Sequence, residues 1–147
     1  MMRHNSAILA TVFLLATYAM PANSLFEKTR VMVQNDLQGG QEMKVHCKSK
    51  DDDIGVHFLK HHERISWKFR PSFWGNTLFF CYFNWGQGFK HTDVYHQYRD
   101  EDAFTGCHHF CHWLVRETGP CLIMKNGLNC YRWPEDMLSP AFVGERL

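Results

Sequence analysis

Apolar and polar residues alternate with a period of two along most of this chain. Val31 and Val33 alternate with Met32 and Gln34. Met43, Val45 and Cys47 share one parity, opposite Lys44 and His46. Ile65, Trp67 and Phe69 alternate with Ser66, Lys68 and Arg70. Successive side chains of a strand point to opposite faces, so each such segment predicts a strand buried on one side. Residues 56–59 are short and strand-like. Leu78–Trp85 (LFFCYFNW) is apolar at both parities and predicts a central strand covered on both faces. Phe110–Arg116 alternates again, residues 121–124 resume an apolar run, and residues 129–133 suggest a last short strand. Val94, Tyr95 and Tyr98 lie in a mixed segment with no single period. Turn residues separate these runs: Asn35-Asp36, Gly39-Gly40, the polar stretch before Gly55, Pro71 and Gly75, Gly86 and Gly88, and Gly119-Pro120. Helix start and stop signals are scarce. About seven to eight short strands packed face to face give an all-β fold, a small antiparallel β-sandwich. No repeat and no Gly/Ser/Pro-rich linker divides it.

The first 24 residues have a different pattern. Arg3 and His4 precede an uncharged apolar run from Ala7 to Met20, and Ala22-Asn23-Ser24 supplies the small residues of a cleavage site. That three-part layout predicts a secretory signal peptide over 1–24 and one domain over 25–147. The run is shorter than the ~20 apolar residues of a membrane span, and Pro21 closes it. No membrane insertion is expected after cleavage.

Charge and cysteines then narrow the classes. The full chain has a formal charge of +1 at pH 7. Loss of Arg3 with the leader leaves basic and acidic residues in equal number, which speaks against a nucleic-acid binder. All six cysteines lie beyond the leader: Cys47, Cys81, Cys107, Cys111, Cys121 and Cys130. An even number in an exported chain suggests a disulfide framework. Cys121 with Cys130 is the simplest local pairing, because Lys125-Asn126-Gly127 between them reads as a turn.

Several clusters invite chemistry. Cys107-His108-His109-Phe110-Cys111-His112 offers zinc-type ligands, but a strand sends adjacent side chains to opposite faces. Disulfides with surface histidines are the expectation there, and His57, His61 and His62 form a looser second group. Asp51-Asp52-Asp53 lacks the spaced carboxylates of a calcium loop and reads as a solvated turn. No G-x-S-x-G, H-E-x-x-H or P-loop pattern is present, nor the histidine motif of T2-type secreted ribonucleases. No catalytic residue, cofactor or metal is assigned. The aromatic residues Phe73, Trp74, Phe79, Phe80, Phe83 and Trp85 read as core rather than as a ligand surface.

Residues 45–55 (VHCKSKDDDIG), Trp67-Lys68-Phe69, residues 73–81 (FWGNTLFFC), Tyr98-Arg99-Asp100, Cys111-His112-Trp113 and Gly119-Pro120-Cys121 occur in an order and spacing similar to the plant self-incompatibility protein S1 family, the S-protein homologues. The resemblance runs from about Val31 to Trp133, residues 31–133. It implies a small secreted plant protein with a disulfide-bonded β-sandwich. The founding members, from poppy, are stigma-secreted ligands recognised by a membrane protein on incompatible pollen, and recognition starts a calcium response. The family usually has C-x-x-C before the tryptophan; here Cys107 and Cys111 are spaced C-x-x-x-C. One inserted residue reverses the face of Cys107 unless a bulge absorbs it.

The expectation is therefore an extracellular, monomeric signalling ligand for a cell-surface receptor, with a secreted defence protein as the alternative and a secreted hydrolase behind it. Specificity is expected in the loops 35–41, 48–55, 61–64 and 86–91. The candidate contact residues there are Asp36, Gln38, Lys48, Lys50, Asp51, Asp52, Asp53, His61, His62, Glu63, Gln87 and Lys90. The many histidines suggest binding that varies between about pH 5 and 7.

Overall fold

A computed structural model describes residues 27–134 except 87 and 103–105. The expected leader and the candidate Gln87 lie outside the described residues. The described residues form nine strands: β1 Thr29–Asn35, β2 Met43–Lys48, β3 Asp53–Leu59, β4 Arg64–Phe69, β5 Leu78–Trp85, β6 Gly88–His96, β7 Phe110–Arg116, β8 Gly119–Met124 and β9 Gly127–Cys130. One helical turn, α1 Gln97–Asp100, follows β6. The strands form a five-stranded sheet in the order β4-β1-β7-β8-β9 and a four-stranded sheet in the order β3-β2-β5-β6.

The period-two pattern decides which side chains meet between the sheets. Val31 and Val33 of β1, Met43 and Val45 of β2, Phe79 and Phe83 of β5, and Trp113 and Val115 of β7 are all buried in one cluster. Each such side chain contributes on the order of 1.5–3 kcal/mol on burial. Two disulfides join neighbouring strands, one in each sheet: Cys47–Cys81 between β2 and β5 and Cys121–Cys130 between β8 and β9. The third, Cys107–Cys111, is local. In the chain-entropy picture the Cys47–Cys81 loop, with a sequence separation of 34, restricts the unfolded chain by about 4 kcal/mol.

The structure departs from expectation in four places. First, the sheets are not wholly antiparallel. β1 and β7 pair in parallel, with Val31 opposite Cys111 and Val33 opposite Trp113. The whole second sheet lies between them in sequence, a connection long enough for a parallel crossover. Second, the mixed segment at Val94 and Tyr95 contains a bulge. Phe79 pairs with Tyr95 but Phe80 pairs with Asp93, so Val94 is the extra residue and two successive side chains face the core. Third, β5 is central, yet its outer face is open: Leu78 and Tyr82 are exposed. Fourth, the last strand ends at Cys130, and Trp133 beyond it enters the core against Phe83 and Trp85, 5.7 Å between ring centroids in each pair. Its indole N–H donates to the carbonyls of Arg116 (3.2 Å) and Glu117 (3.0 Å). The tail reaches that position across Gly119, where a Cβ would meet the Tyr131 carbonyl oxygen at 1.7 Å.

Candidate functional site

Strand direction assigns every loop to one of two ends of the sandwich. Among the described residues, the segments 36–42, 60–63, 86 and 117–118 lie at the end that Trp133 closes. Segments 49–52, 70–77, 97–102, 106–109 and 125–126 lie at the other. The expected contact residues are thus divided. Asp36, Gln38, His61, His62 and Glu63 sit at the Trp133 end; Lys48, Lys50, Asp51, Asp52 and Asp53 sit at the opposite end. Lys90 belongs to β6, opposite Phe83, rather than to a loop, because the pairing of β5 with β6 continues to Trp85 opposite Gly88.

At the Trp133 end Asn35, Asp36, Glu63 and Glu117 are occupied by the fold. Asp36 accepts from Arg116 Nε at 2.6 Å, and His62 Nδ1 lies 4.0 Å from the same carboxylate. The Glu63 carboxylate accepts from Lys60 N at 2.8 Å. Glu117 accepts from the backbone N–H groups of Gln38 and Gly39, both at 3.0 Å. Burial raises the Glu117 pKa, but these backbone donors outweigh it and hold the carboxyl below its ordinary value. Asn35 ties the same corner together, donating to the carbonyls of Gln41 and Leu59.

The opposite end presents side chains outward from equally fixed loops. In the loop after β2, Ser49 Oγ accepts from the N–H groups of Asp51 and Asp52 at 3.3 and 2.9 Å. Asp53 accepts from Gly55 N at 2.8 Å and meets His46 Nε2 at 2.6 Å, with Lys48 Nζ at 3.6 Å. The Gly55 N–H, then His46, draws the Asp53 pKa down. Gly55 itself has φ +83°, at the bulge where β3 shifts register against Cys47 and Lys48. Asp53 and Lys48 therefore fix the loop, while Lys50, Asp51 and Asp52 remain exposed at its tip.

The loop between β4 and β5 is held from beneath by Gln97 of α1, which is buried. Gln97 donates to the Ser72 carbonyl at 2.9 Å, and its side-chain oxygen accepts from Thr77 N at 3.1 Å. Thr77 Oγ1 in turn accepts from Ser72 N at 2.7 Å. This frame displays Phe73, 74% exposed, and Trp74, 79% exposed. Their rings meet edge to face at 5.4 Å. Tyr98 of α1, also 74% exposed, stands over Gly75, where a Cβ would come 3.0 Å from its hydroxyl. Between this loop and the Lys50–Asp52 tip lies a groove of about 640 Å³, which Arg70 and Asn76 also line.

Phe73 and Trp74 correct the sequence reading, which placed them in the core. Alternation argues for burial only on a strand, and these two lie on the turn between Pro71 and Gly75. Those two residues were the available signal. Of the others in that group, Phe79, Phe83 and Trp85 are buried and Phe80 is half-buried on the outer face of β5.

Asp100 secures α1. Its buried carboxylate accepts from His96 N (2.6 Å) and from Arg99 Nε and Nη2 (2.8 and 2.6 Å), while its carbonyl accepts from His108 N (2.7 Å). One group of three metal-type ligands lies together among the described residues: Asp100, Cys107 and Cys111. Both sulfurs are in a disulfide and the carboxylate is already engaged, so the group is a structural corner. His108 has φ +56°, which turns the chain between Cys107 and β7 and brings the two cysteines together despite their C-x-x-x-C spacing. The neighbouring histidines diverge: His109 lies 3.2 Å from Glu27, and His112 lies 3.0 Å from Gln34. What the loop end offers chemically is recognition, by aromatic side chains beside charges of both signs.

Comparison with known proteins matches this framework. The model of the family described as plant self-incompatibility protein S1 covers residues 30–133. S-protein homolog 5 of Arabidopsis thaliana is 37% identical over 108 residues, 74% of this chain and 80% of that protein. S-protein homolog 29 of the same plant is 33% identical over 138 residues, 90% of this chain and 99% of that protein. A solved structure of self-incompatibility protein homologues, described as a widespread family of small, highly stable, secreted proteins from plants, superposes with a TM-score of 0.53 at 18% identity. It covers 74% of this chain and 96% of that one. The family model over residues 30–133 and the extent of the matches to the two Arabidopsis relatives establish that this chain belongs to the plant self-incompatibility protein S1 family, the S-protein homologues.

Proposed function

We propose that this chain is a secreted plant signalling ligand, recognised by a cell-surface receptor protein through the end of the sandwich that carries Phe73, Trp74 and Tyr98. The observation that carries the reading is the exposure of Phe73 and Trp74 on a loop fixed by Gln97 and Thr77. Large aromatic side chains held rigid and unburied lose little entropy on docking, and they dominate protein interfaces. The Lys50–Asp52 tip and Arg70 would form a polar rim around them and steer the encounter. The opposite end, where Asp36, Glu63 and Glu117 satisfy backbone and side-chain partners, serves as scaffold. The protein is a monomer that acts by binding and carries out no reaction.

Labelled oxidised protein, applied to isolated plant cells from several tissues, tests this. Saturable binding that competes with unlabelled protein and is abolished by mild protease treatment of the cells supports a protein receptor. Binding that survives protease, or no saturable binding in any tissue, refutes it.

A further inference from the structure

The outer face of the four-stranded sheet is a second candidate surface, separate from the loop end. Register places its side chains in rows across the strands. Phe58, Lys44, Asn84 and Phe89 form one row, and Val56, His46, Tyr82 and His91 form the next. Phe58 and Phe89 are 61% and 60% exposed, and Val56 is 47% exposed. The Tyr82 and Phe89 rings stack with their planes 24° apart and centroids at 5.4 Å, and so make an apolar ridge near the β6 edge. At the β3 edge Lys44 Nζ lies 6.0 Å from the centroid of Phe58. A shallow groove of about 360 Å³ runs between these two apolar edges over Lys44, His46 and Asn84.

We infer that this face binds an acidic polysaccharide, a chain of uronic acid residues. The charge on the face selects the class. Its acidic members, Asp53 and Asp93, belong to the third row, toward the loop end, where Asp53 is engaged by His46 and Lys48. In the first two rows the charged and titratable side chains are Lys44, His46 and His91, bases without an acid among them. A pyranose ring turns a face of polarised C–H bonds to an aromatic ring, whose face carries partial negative charge. A uronate adds one carboxylate per sugar, which suits Lys44, set in one row with the exposed rings of Phe58 and Phe89, whereas His46 already holds Asp53. The face is open and shallow and lacks the deep cleft that anchors a single peptide side chain. The plant extracellular matrix supplies such polymers.

The test is calorimetric titration of the oxidised protein with a homogalacturonan oligomer of defined length, against a neutral glucan oligomer of the same length. The expected result is binding of the uronate oligomer at least tenfold tighter than the neutral one, weakening as salt rises. Tyr82→Ala with Phe89→Ala should weaken it at least tenfold, and Lys44→Gln should weaken it and flatten the salt dependence. Both changes are at exposed positions, and near-unchanged thermal unfolding confirms that the variants are folded; Phe58→Ala replaces the double variant if it is not. Phe73→Ala with Trp74→Ala should leave sugar binding intact, which separates this inference from the receptor reading. No binding of the oligomer overturns the inference, as does binding unaltered by the aromatic substitutions, which marks mere polyanion attraction. Self-association lost in the same variants assigns the face to a second copy of the chain instead.

Discussion

Phe73→Ala with Trp74→Ala separates recognition from stability. With the two rings 74% and 79% exposed, their removal uncovers little core, so unfolding free energy should change by no more than about 0.5 kcal/mol. In a complex, each aromatic side chain buries up to ~200 Å². At about 25 cal/mol per Å² that is up to about 5 kcal/mol for each ring, and losses in freedom on docking cut the observable part well below this. Central aromatic anchors typically cost 2 kcal/mol or more on truncation, about thirtyfold in affinity. The edge-to-face contact at 5.4 Å couples the two residues, so the double variant should lose less than the sum of the singles. Urea unfolding of the oxidised protein and competition binding to plant cells read the two quantities separately. A drop in stability above about 1 kcal/mol would show that the loop packs inward. Full stability with unchanged cell binding would remove this loop from the recognition surface.

Other perturbations test the frame around it. Trp133→Ala should cost about 3–5 kcal/mol by denaturant unfolding, because a buried indole and its hydrogen bonds to two carbonyls are lost together. Gly119→Ala should prevent folding or expel the tail, since the added methyl overlaps the Tyr131 carbonyl; proteolysis near residue 131 would report the expulsion. The depressed pKa of Glu117 means that its contribution is present above the ordinary glutamate value of 4.5 and is lost as pH falls through the lower folded value. Amide exchange at Gln38 and Gly39 should therefore accelerate in acid, and Glu117→Gln should flatten that acid limb. His112 is held below 6.5 by burial and by Arg64, so the unfolded chain takes up a proton that the folded one resists. Its share of stability is complete above 6.5 and declines as pH falls toward the folded value; thermal unfolding of His112→Gln should show a smaller loss between pH 7 and 5.

The strands were legible in sequence because a sheet buried on one face enforces strict alternation, as at Val31 and Val33 or at Met43, Val45 and Cys47. What was not legible came from tertiary choices that leave no local period. The β1–β7 parallel pair depends on where the chain re-enters the first sheet. The bulge at Val94 breaks the period that would announce a strand. The one-turn helix Gln97–Asp100 has no side-chain cap, and it is held by Asp100 and Gln97 reaching other segments. The expected contact residues were chosen by loop membership, which ignores what each side chain already binds. Asp36, Asp53 and Glu63 turned out to be committed to the scaffold.

The same accounting explains why the proposed recognition surface is aromatic. In β5 the apolar run LFFCYFNW was read as covered on both faces, yet only the parity of Phe79, Cys81, Phe83 and Trp85 is buried. The opposite parity leaves Tyr82 on an open face, and the turn before β5 leaves Phe73 and Trp74 outside altogether. Neither placement is needed for the core, which the inward parity and three disulfides already close. Exposed aromatic side chains in two separate patches gain nothing for folding and favour association. Phe73 and Trp74, on a loop fixed by Gln97 and Thr77, and Tyr82, on the paired strand β5, are thus displayed by rigid elements, as the two proposed binding surfaces require.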